Sequence, residues 1–388
     1  MNEITLNIVY VGNHNFPFGN ATTKRIRYQI DYLNAQHISC HKLISGIRAT
    51  GEQKDKQLPF GIYGFCDYVD ITPIAEQKGL RAFWKIGKDQ LKKWYDPNAK
   101  NVMIMGILLK PAEYPFYRYA RKLGYKIVFD QTETSLFHSS HNMPFRHRMN
   151  IYISEWLSKR AYAQTSSFVI SKNLWHENKE RCPYIKLCLL PNSTPIICEK
   201  PKLTLNYPLK VLYSGTYGEK EGVSYLINGI IQARESGCPC ELYLLGKGSQ
   251  RDMEILKMAD SKPYIHYLGF VSDEELLRLM KESDVLCMVR TNTRFANYGF
   301  PFKLSEYLAT GNIVLATNVG DVCDYIENQK NAYIIKPESS QAIANALLHI
   351  QQNQSEAIQI AAGGLEIMKK YFSIEKVGKQ FVDFLKLI

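Results

Sequence analysis

Two doubly wound α/β domains facing a central cleft are the fold class that the sequence predicts, and three observations predict it. The chain has 388 residues, more than one core of typical size holds and enough for two domains of roughly 150–200 residues each. Short apolar runs alternate with longer segments of helical period, the pattern of a parallel sheet covered by helices. A strand that runs into a glycine-bearing loop and then a helix occurs twice, once near the start of each half.

The elements follow in order. The apolar run Ile8–Val11 ends at Gly12 as a buried strand does, and Glu3 stands where a signal peptide needs base, so the amino terminus reads as a strand and not as an export signal. A helix opens near Thr22 or Thr23 and runs to Ala35 with Ile26, Ile30 and Leu33 on one face. Strands at Val102–Met105, Ile127–Phe129 and Phe168–Ile170 alternate with helices over Glu113–Leu123 and Arg146–Ala163. Breakers between Pro191 and Pro208 mark a linker, which bounds the first domain at 1–195 and the second at 205–372. Strands then read at Lys210–Tyr213, Leu242–Leu245, Ile265–Leu268, Val285–Val289, Ile313–Ala316 and Ala332–Ile335. Helices read at Val223–Arg234, Asp273–Lys281, Lys303–Thr310 and Ser340–Gln351. The closing segment 373–388 carries Val377, Phe381, Phe384 and Leu385 on one side, a helix that can pack back onto the first domain.

Apolar residues are 45% and charged residues 22% of the chain, and no window reaches the roughly 18–20 consecutive apolar residues of a membrane span. A cytoplasmic, water-soluble protein is the expectation. Nine scattered cysteines without paired zinc spacing fit a reducing compartment. The net charge of +11 is unevenly placed: residues 1–200 carry +12 and the remainder −1. Such a field draws an anionic partner. Nucleic acid is disfavoured, because the basic residues stand in no nucleic-acid motif.

Three segments bear chemistry. The loop Gly12 to Gly19, before the helix with Lys24, Arg25 and Arg27, aims backbone N–H groups at an anion or is an ordinary α/β loop with a solvated basic helix. Gly215-Thr-Tyr-Gly-Glu-Lys220-Glu-Gly222 repeats the arrangement in the second domain, with Lys220 a compact charge for a diphosphate. In Tyr298-Gly-Phe-Pro-Phe-Lys-Leu-Ser-Glu306, Pro301 opens a helix that turns the N–H groups of Phe302 and Lys303 toward a phosphate, with Glu306 one turn in. A carboxylate there can accept both hydroxyls of a ribose, or it is a surface glutamate favoured by the helix dipole.

Residues 210–340 resemble the donor domain of the family-4 retaining glycosyltransferases, whose fold is GT-B, in the bacterial surface-polysaccharide type. The resemblance runs through Gly215, Lys220 and Gly222, then Leu244-Leu-Gly-Lys-Gly248, Tyr267-Leu-Gly-Phe-Val-Ser272 and Pro301-Phe-Lys-Leu-Ser-Glu306 to Gly311. The first domain is more loosely similar, through the Gly19 loop, Phe129-Asp-Gln-Thr-Glu133, Phe168-Val-Ile-Ser171 and Leu190-Pro-Asn192.

The resemblance implies transfer of a hexose from a UDP- or GDP-sugar to a glycan or polyprenyl-diphosphate-linked acceptor, with peripheral membrane contact through the basic first domain. It implies donor contacts at Gly19, Gly215, Thr216, Lys220, Phe302, Lys303, Leu304 and Glu306, and a turn at Gly269, Phe270 and Val271 that frames the base. Three positions depart from it. Thr216 stands where the family often has Arg, so one phosphate contact is either missing or supplied by Arg290 or Arg294. Tyr298 stands where it has its first glutamate, and Thr132 where it has an acceptor-side histidine. Glu133, His138 and His141, close by in sequence, can each substitute for that last position or are ordinary loop residues. The implied front-face displacement needs positioning and phosphate stabilisation more than a strong base. No metal is expected, since no cluster has metal spacing.

The basic aromatic segment Leu80–Tyr95 has the make-up of an interfacial helix or of a core helix with a basic outer side, and Tyr114 to Lys122 is a second candidate membrane patch. A nucleotide-sugar-binding protein without turnover, or an epimerase on the same fold, is the alternative to a transferase.

Overall fold

The computed structural model describes residues 4–46, 58–106, 109–133, 145–162, 164–249, 253–259 and 262–388. The chain divides into two compact units, 1–193 with 374–388 and 194–373.

The first unit holds an eight-stranded sheet: β1 (Leu6–Gly12), β2 (Ser39–Ile44), β3 (Phe60–Tyr63), β4 (Cys66–Asp70), β5 (Lys100–Gly106), β6 (Lys126–Gln131), β7 (Ser166–Val169) and β8 (Lys186–Leu189). Its order is β3-β4-β2-β1-β5-β6-β7-β8, with every pairing parallel except β3 with β4. The order reverses at β1, which lies between β2 and β5, and that reversal opens a crevice at the carboxyl ends of the strands. Its helices are α1 (Ala21–Ala35), α2 (Thr72–Lys93), α3 (Tyr114–Leu123), α4 (Phe145–Tyr162) and α5 (Lys172–Arg181).

Alternation along β1 serves both faces of this sheet, as the period of two in a strand requires. Ile8 and Tyr10 join Val102, Val128 and Phe168 on one side against Ile26, Ile30 and Leu33 of α1. Val9 and Val11 join Met103, Met105, Ile127 and Phe129 on the other, against Phe83 and Leu91 of α2 and Phe116 of α3. Asn20 caps α1 by accepting from the N–H groups of Thr22 and Thr23.

The second unit holds β9 (Leu209–Ser214), β10 (Cys240–Leu245), β11 (Ile265–Gly269), β12 (Val285–Met288), β13 (Ile313–Thr317) and β14 (Tyr333–Ile335). The order is β11-β10-β9-β12-β13-β14, all parallel. This is the doubly wound dinucleotide-type order, reversing at β9. Around it lie α6 (Val223–Glu235), α7 (Asp273–Glu282), α8 (Arg294–Tyr298), α9 (Phe302–Leu308), α10 (Ser340–Gln352) and α11 (Gln354–Tyr371). Leu226, Ile227 and Ile230 of α6 and Ile343, Leu347 and Ile350 of α10 cover one face.

Asp284, fully buried, fastens the breaker-rich segment to this unit. Its carboxylate pairs with Lys202 at 2.7 Å and accepts from the backbone of Asn206 and Lys210 at 3.1 and 2.7 Å. The closing helix α12 (Ile374–Leu387) belongs to the first unit, where Phe381 stacks on Phe168 at 5.0 Å and Gln380 donates to Leu189 O at 2.8 Å. Burying Phe381, Phe384 and Leu385 contributes about 1.5–3 kcal/mol each.

Candidate functional site

In the second unit, β9 ends at Ser214 and the chain turns through Gly215 to Gly222 into α6. A Cβ on Gly215 would press into the end of the Lys303 side chain, so the glycine leaves room for that lysine to reach in from α9. Lys303 Nζ donates to Glu221 Oε2 at 2.7 Å and to Tyr213 OH at 3.0 Å. Arg290 approaches the other carboxylate oxygen to 3.8 Å and Lys220 to 4.0 Å. One carboxylate therefore gathers three cations. Burial alone would push Glu221 upward, but Lys303, Arg290 and Lys220 pull it down to about 2. Burial lowers Lys303, against the opposing pull of Glu221.

The loop is pinned from several sides. Gly222 adopts φ +65°, and a Cβ there would strike the Val289 carbonyl, so only glycine fits. Tyr213 OH donates to Thr216 O at 2.6 Å, and Thr291 N–H donates to Lys220 O at 3.0 Å. Ser214 N–H donates to Tyr307 OH at 3.1 Å, so Lys303 and Tyr307, four apart on one face of α9, both tie that helix to the strand end.

The expected donor residues fall in this unit as follows. Thr216 is exposed, Lys220 lies 4.2 Å from the Phe295 ring, and Phe302, Lys303 and Glu306 are partly buried on α9 with Leu304 inside. Pro301 is the residue before α9 and accepts from Leu304 N–H at 3.2 Å. Gly269, at φ +69°, accepts from Gly246 N–H at 2.7 Å, Val271 is partly buried and Phe270 is 67% exposed. Of the two arginines expected to replace a contact at position 216, Arg290 joins the carboxylate cluster, whereas Arg294 lies 5.6 Å from the Tyr298 ring.

The first unit has a different edge. Arg25 is 2% exposed and not a solvated helix residue: it forks onto Asp130 with two bonds of 2.9 Å and reaches Pro191 O at 3.0 Å and Leu190 O at 3.2 Å. It fastens α1 to the ends of β6 and β8. Gly19 lies against Thr23, whose side chain occupies the place a Cβ would take. Lys42, 1% exposed, donates to Gly12 O at 3.2 Å and Leu43 O at 3.3 Å, and burial lowers it to about 8. Buried Glu113 accepts from Ser45 Oγ at 3.1 Å.

Sequence reasoning passed over His14. It follows β1 at the point of strand-order reversal, with Nε2 4.0 Å from the place of a Gly106 Cβ. Burial, then Lys42 and Lys110, lower it to about 4 against the pull of Asp130. Its imidazole is therefore neutral at pH 7 and can accept a hydrogen bond. The signal was a histidine in the first strand-end loop. Glu133 is exposed, two residues beyond β6, whereas His138 and His141 lie outside the described residues.

Among the described residues, no group of three or more His, Cys, Asp or Glu could hold a metal ion. None of their helices is long and apolar enough to cross a membrane. All nine cysteines are free thiols.

Known proteins agree with this architecture. Residues 208–353 match the family described as glycosyl transferases group 1. The amylovoran biosynthesis glycosyltransferase AmsK of Erwinia amylovora is 22% identical over 281 residues, 69% of this chain and 67% of that protein. The phosphatidyl-myo-inositol mannosyltransferase of Mycobacterium leprae is 23% identical over 181 residues, so the match spans 46% of each. Among solved structures, Anabaena Alr3699/HepE in complex with UDP superposes with a TM-score of 0.69 at 14% identity, covering 98% of this chain and 100% of that one. Sucrose-phosphate synthase from Thermosynechococcus elongatus gives 0.74 at 15% identity, covering 99% and 98%. The fold is GT-B. The chain is related to the group 1 glycosyltransferases, whose family its second domain matches.

Proposed function

We propose that the chain is a retaining glycosyltransferase that moves a hexose from a UDP- or GDP-sugar to a glycan or polyprenyl-diphosphate-linked glycan in polysaccharide biosynthesis. The observation that carries this reading is the cluster at the end of β9. Lys220, Arg290, Lys303 and Glu221 together bear a net charge of +2 beside a glycine loop at the reversal of a doubly wound sheet. Such a cluster suits a diphosphate, whose charge grows as the glycosidic bond to the sugar breaks. Glu306, on the helix that Lys303 and Tyr307 tie to this loop, takes the ribose hydroxyls.

On the acceptor side, neutral His14 is the imidazole available among the described residues at the carboxyl edge of the first sheet, and it takes the hydrogen bond of an acceptor hydroxyl. The first domain, with its excess of base, brings the enzyme to the anionic membrane surface where a lipid-linked acceptor lies. Tyr298, where the resemblance expects a glutamate, favours a second reading, nucleotide-sugar binding without turnover. Release of nucleoside diphosphate from UDP-glucose and GDP-mannose separates the two: binding without any release over hours supports the second reading and overturns the first.

A further inference from the structure

Helix α4 is apolar on two opposite sides. Leu157, Ala161 and Tyr162 are buried in the first domain's core. Ser154 and Ser158 share that side and spend their hydroxyls on Asn150 O and Ser154 O, each at 2.7 Å. On the opposite side Phe145 is 75% exposed, Tyr152 67%, Trp156 47%, Met149 43% and Ile153 39%. At 100° per residue these five side chains fall within an arc of about 100° and extend over about 16 Å of helix. A contiguous exposed stripe of this make-up is uncommon on a surface that meets only water.

The charges around the stripe are one-sided. Arg148 and Lys159 form one shoulder, and Arg160 lies within the arc with its guanidinium 4.1 Å from the Trp156 ring. The single acidic residue of the helix, Glu155, is partly buried. The segments expected to meet a membrane are committed elsewhere. In α2, Phe83 and Leu91 are in the core and Trp84 Nε1 donates to Ala112 O at 2.9 Å. In α3, Phe116 and Tyr117 are buried.

We propose that the outer face of α4 docks on an anionic lipid bilayer, with Phe145, Met149, Tyr152 and Trp156 entering the headgroup and acyl boundary while Arg148, Lys159 and Arg160 meet acidic headgroups. The proposal deepens the membrane-surface part of the proposed function and rests on that part of it. A second copy of the chain is the poorer occupant, because apposing two such faces sets three cations against three with no exposed carboxylate on the helix to offset them.

The test is co-sedimentation of the full chain with vesicles of pure phosphatidylcholine and with vesicles containing 30% phosphatidylglycerol. The wild type should bind the anionic vesicles at least tenfold more strongly and be released by 0.5 M salt. The triple variant Phe145→Ser, Tyr152→Ser, Trp156→Ser should lose at least tenfold in anionic-vesicle binding with its unfolding midpoint unchanged. Arg148→Glu with Arg160→Glu, a second variant at exposed positions, should do the same. Equal binding to both vesicles, no binding by the wild type, or undiminished binding by either variant overturns the proposal. So does a dimer in sedimentation velocity that the triple variant dissolves. Nucleotide binding, measured separately by thermal shift, reports on the transferase reading whatever the vesicles show.

Discussion

The two sheets share one winding rule and differ in what they keep at their carboxyl edges. At the second, a buried carboxylate collects Lys303, Arg290 and Lys220, and the cluster retains a positive excess. At the first, the strongest pair, Arg25 with Asp130, is closed by further bonds to backbone carbonyls, and the titratable group beside it is a neutral imidazole. The difference teaches that one topology can leave a positive excess at one carboxyl edge and a closed ion pair beside a neutral imidazole at the other.

The largest effect is expected from breaking the two pairs. Removing one partner of a buried ion pair costs about 3–5 kcal/mol, because the other charge stays buried. Glu221→Ala should lose that much in urea unfolding and lose nucleotide affinity as well. Asp130→Ala should lose comparable stability while nucleotide affinity per folded molecule stays within twofold. Equal effects of both on nucleotide binding would erase the contrast between the edges.

His14→Asn, which loses the hydrogen bond to an acceptor hydroxyl, should lower transfer by about tenfold, the scale of one such bond, and leave nucleotide affinity unchanged. Transfer at wild-type rate would remove His14 from the acceptor side.

Acid sensitivity sharpens the comparison further. His14 and His41 are lowered to about 4, in each case chiefly by burial. Both take up protons more readily when unfolded, so the stability they support is complete above about 6.5 and is lost as pH falls toward 4, on the order of 2–3 kcal/mol each. Glu221 is lowered to about 2, so its share is present above about 4.3 and is lost only in a second, more acid window. Unfolding midpoints measured from pH 7 to 2.5 should show the first loss flattened by His14→Asn with His41→Asn, and the second by Glu221→Gln.

Much of the fold was legible because buried parallel strands are short apolar runs. The strands read in the second half fall on β9 to β14, and β1, β5, β6 and β7 were read in the first. What escaped was polar in sequence and buried in fact. β2 carries His41 and Lys42 in its middle, and Lys42 is tolerated inside because two backbone carbonyls accept from it. α5 buries little beyond Leu174 and Asn178, so it shows no apolar stripe. α11 hides behind Gly363 and Gly364, which read as breakers but let the helix press against the Lys330 and Asn331 backbone. At the site, the sequence pattern points to the backbone of Lys303, whereas its side chain reaches Glu221, a pairing of residues 82 apart in sequence that no local pattern contains. α4 hid its outer stripe because apolar residues on both sides cancel the periodicity that marks a face.

The account stands on nucleotide binding by the second domain, and the most direct measurement is thermal unfolding of the wild type and Glu306→Ala with UDP, GDP, ADP and CMP. A nucleotide at about 100 times its dissociation constant adds roughly 2.7 kcal/mol, enough to raise the midpoint by a few degrees. The account predicts that UDP or GDP raises the midpoint of the wild type and not that of Glu306→Ala. No shift with any of the four, or an equal shift in the variant, would contradict it.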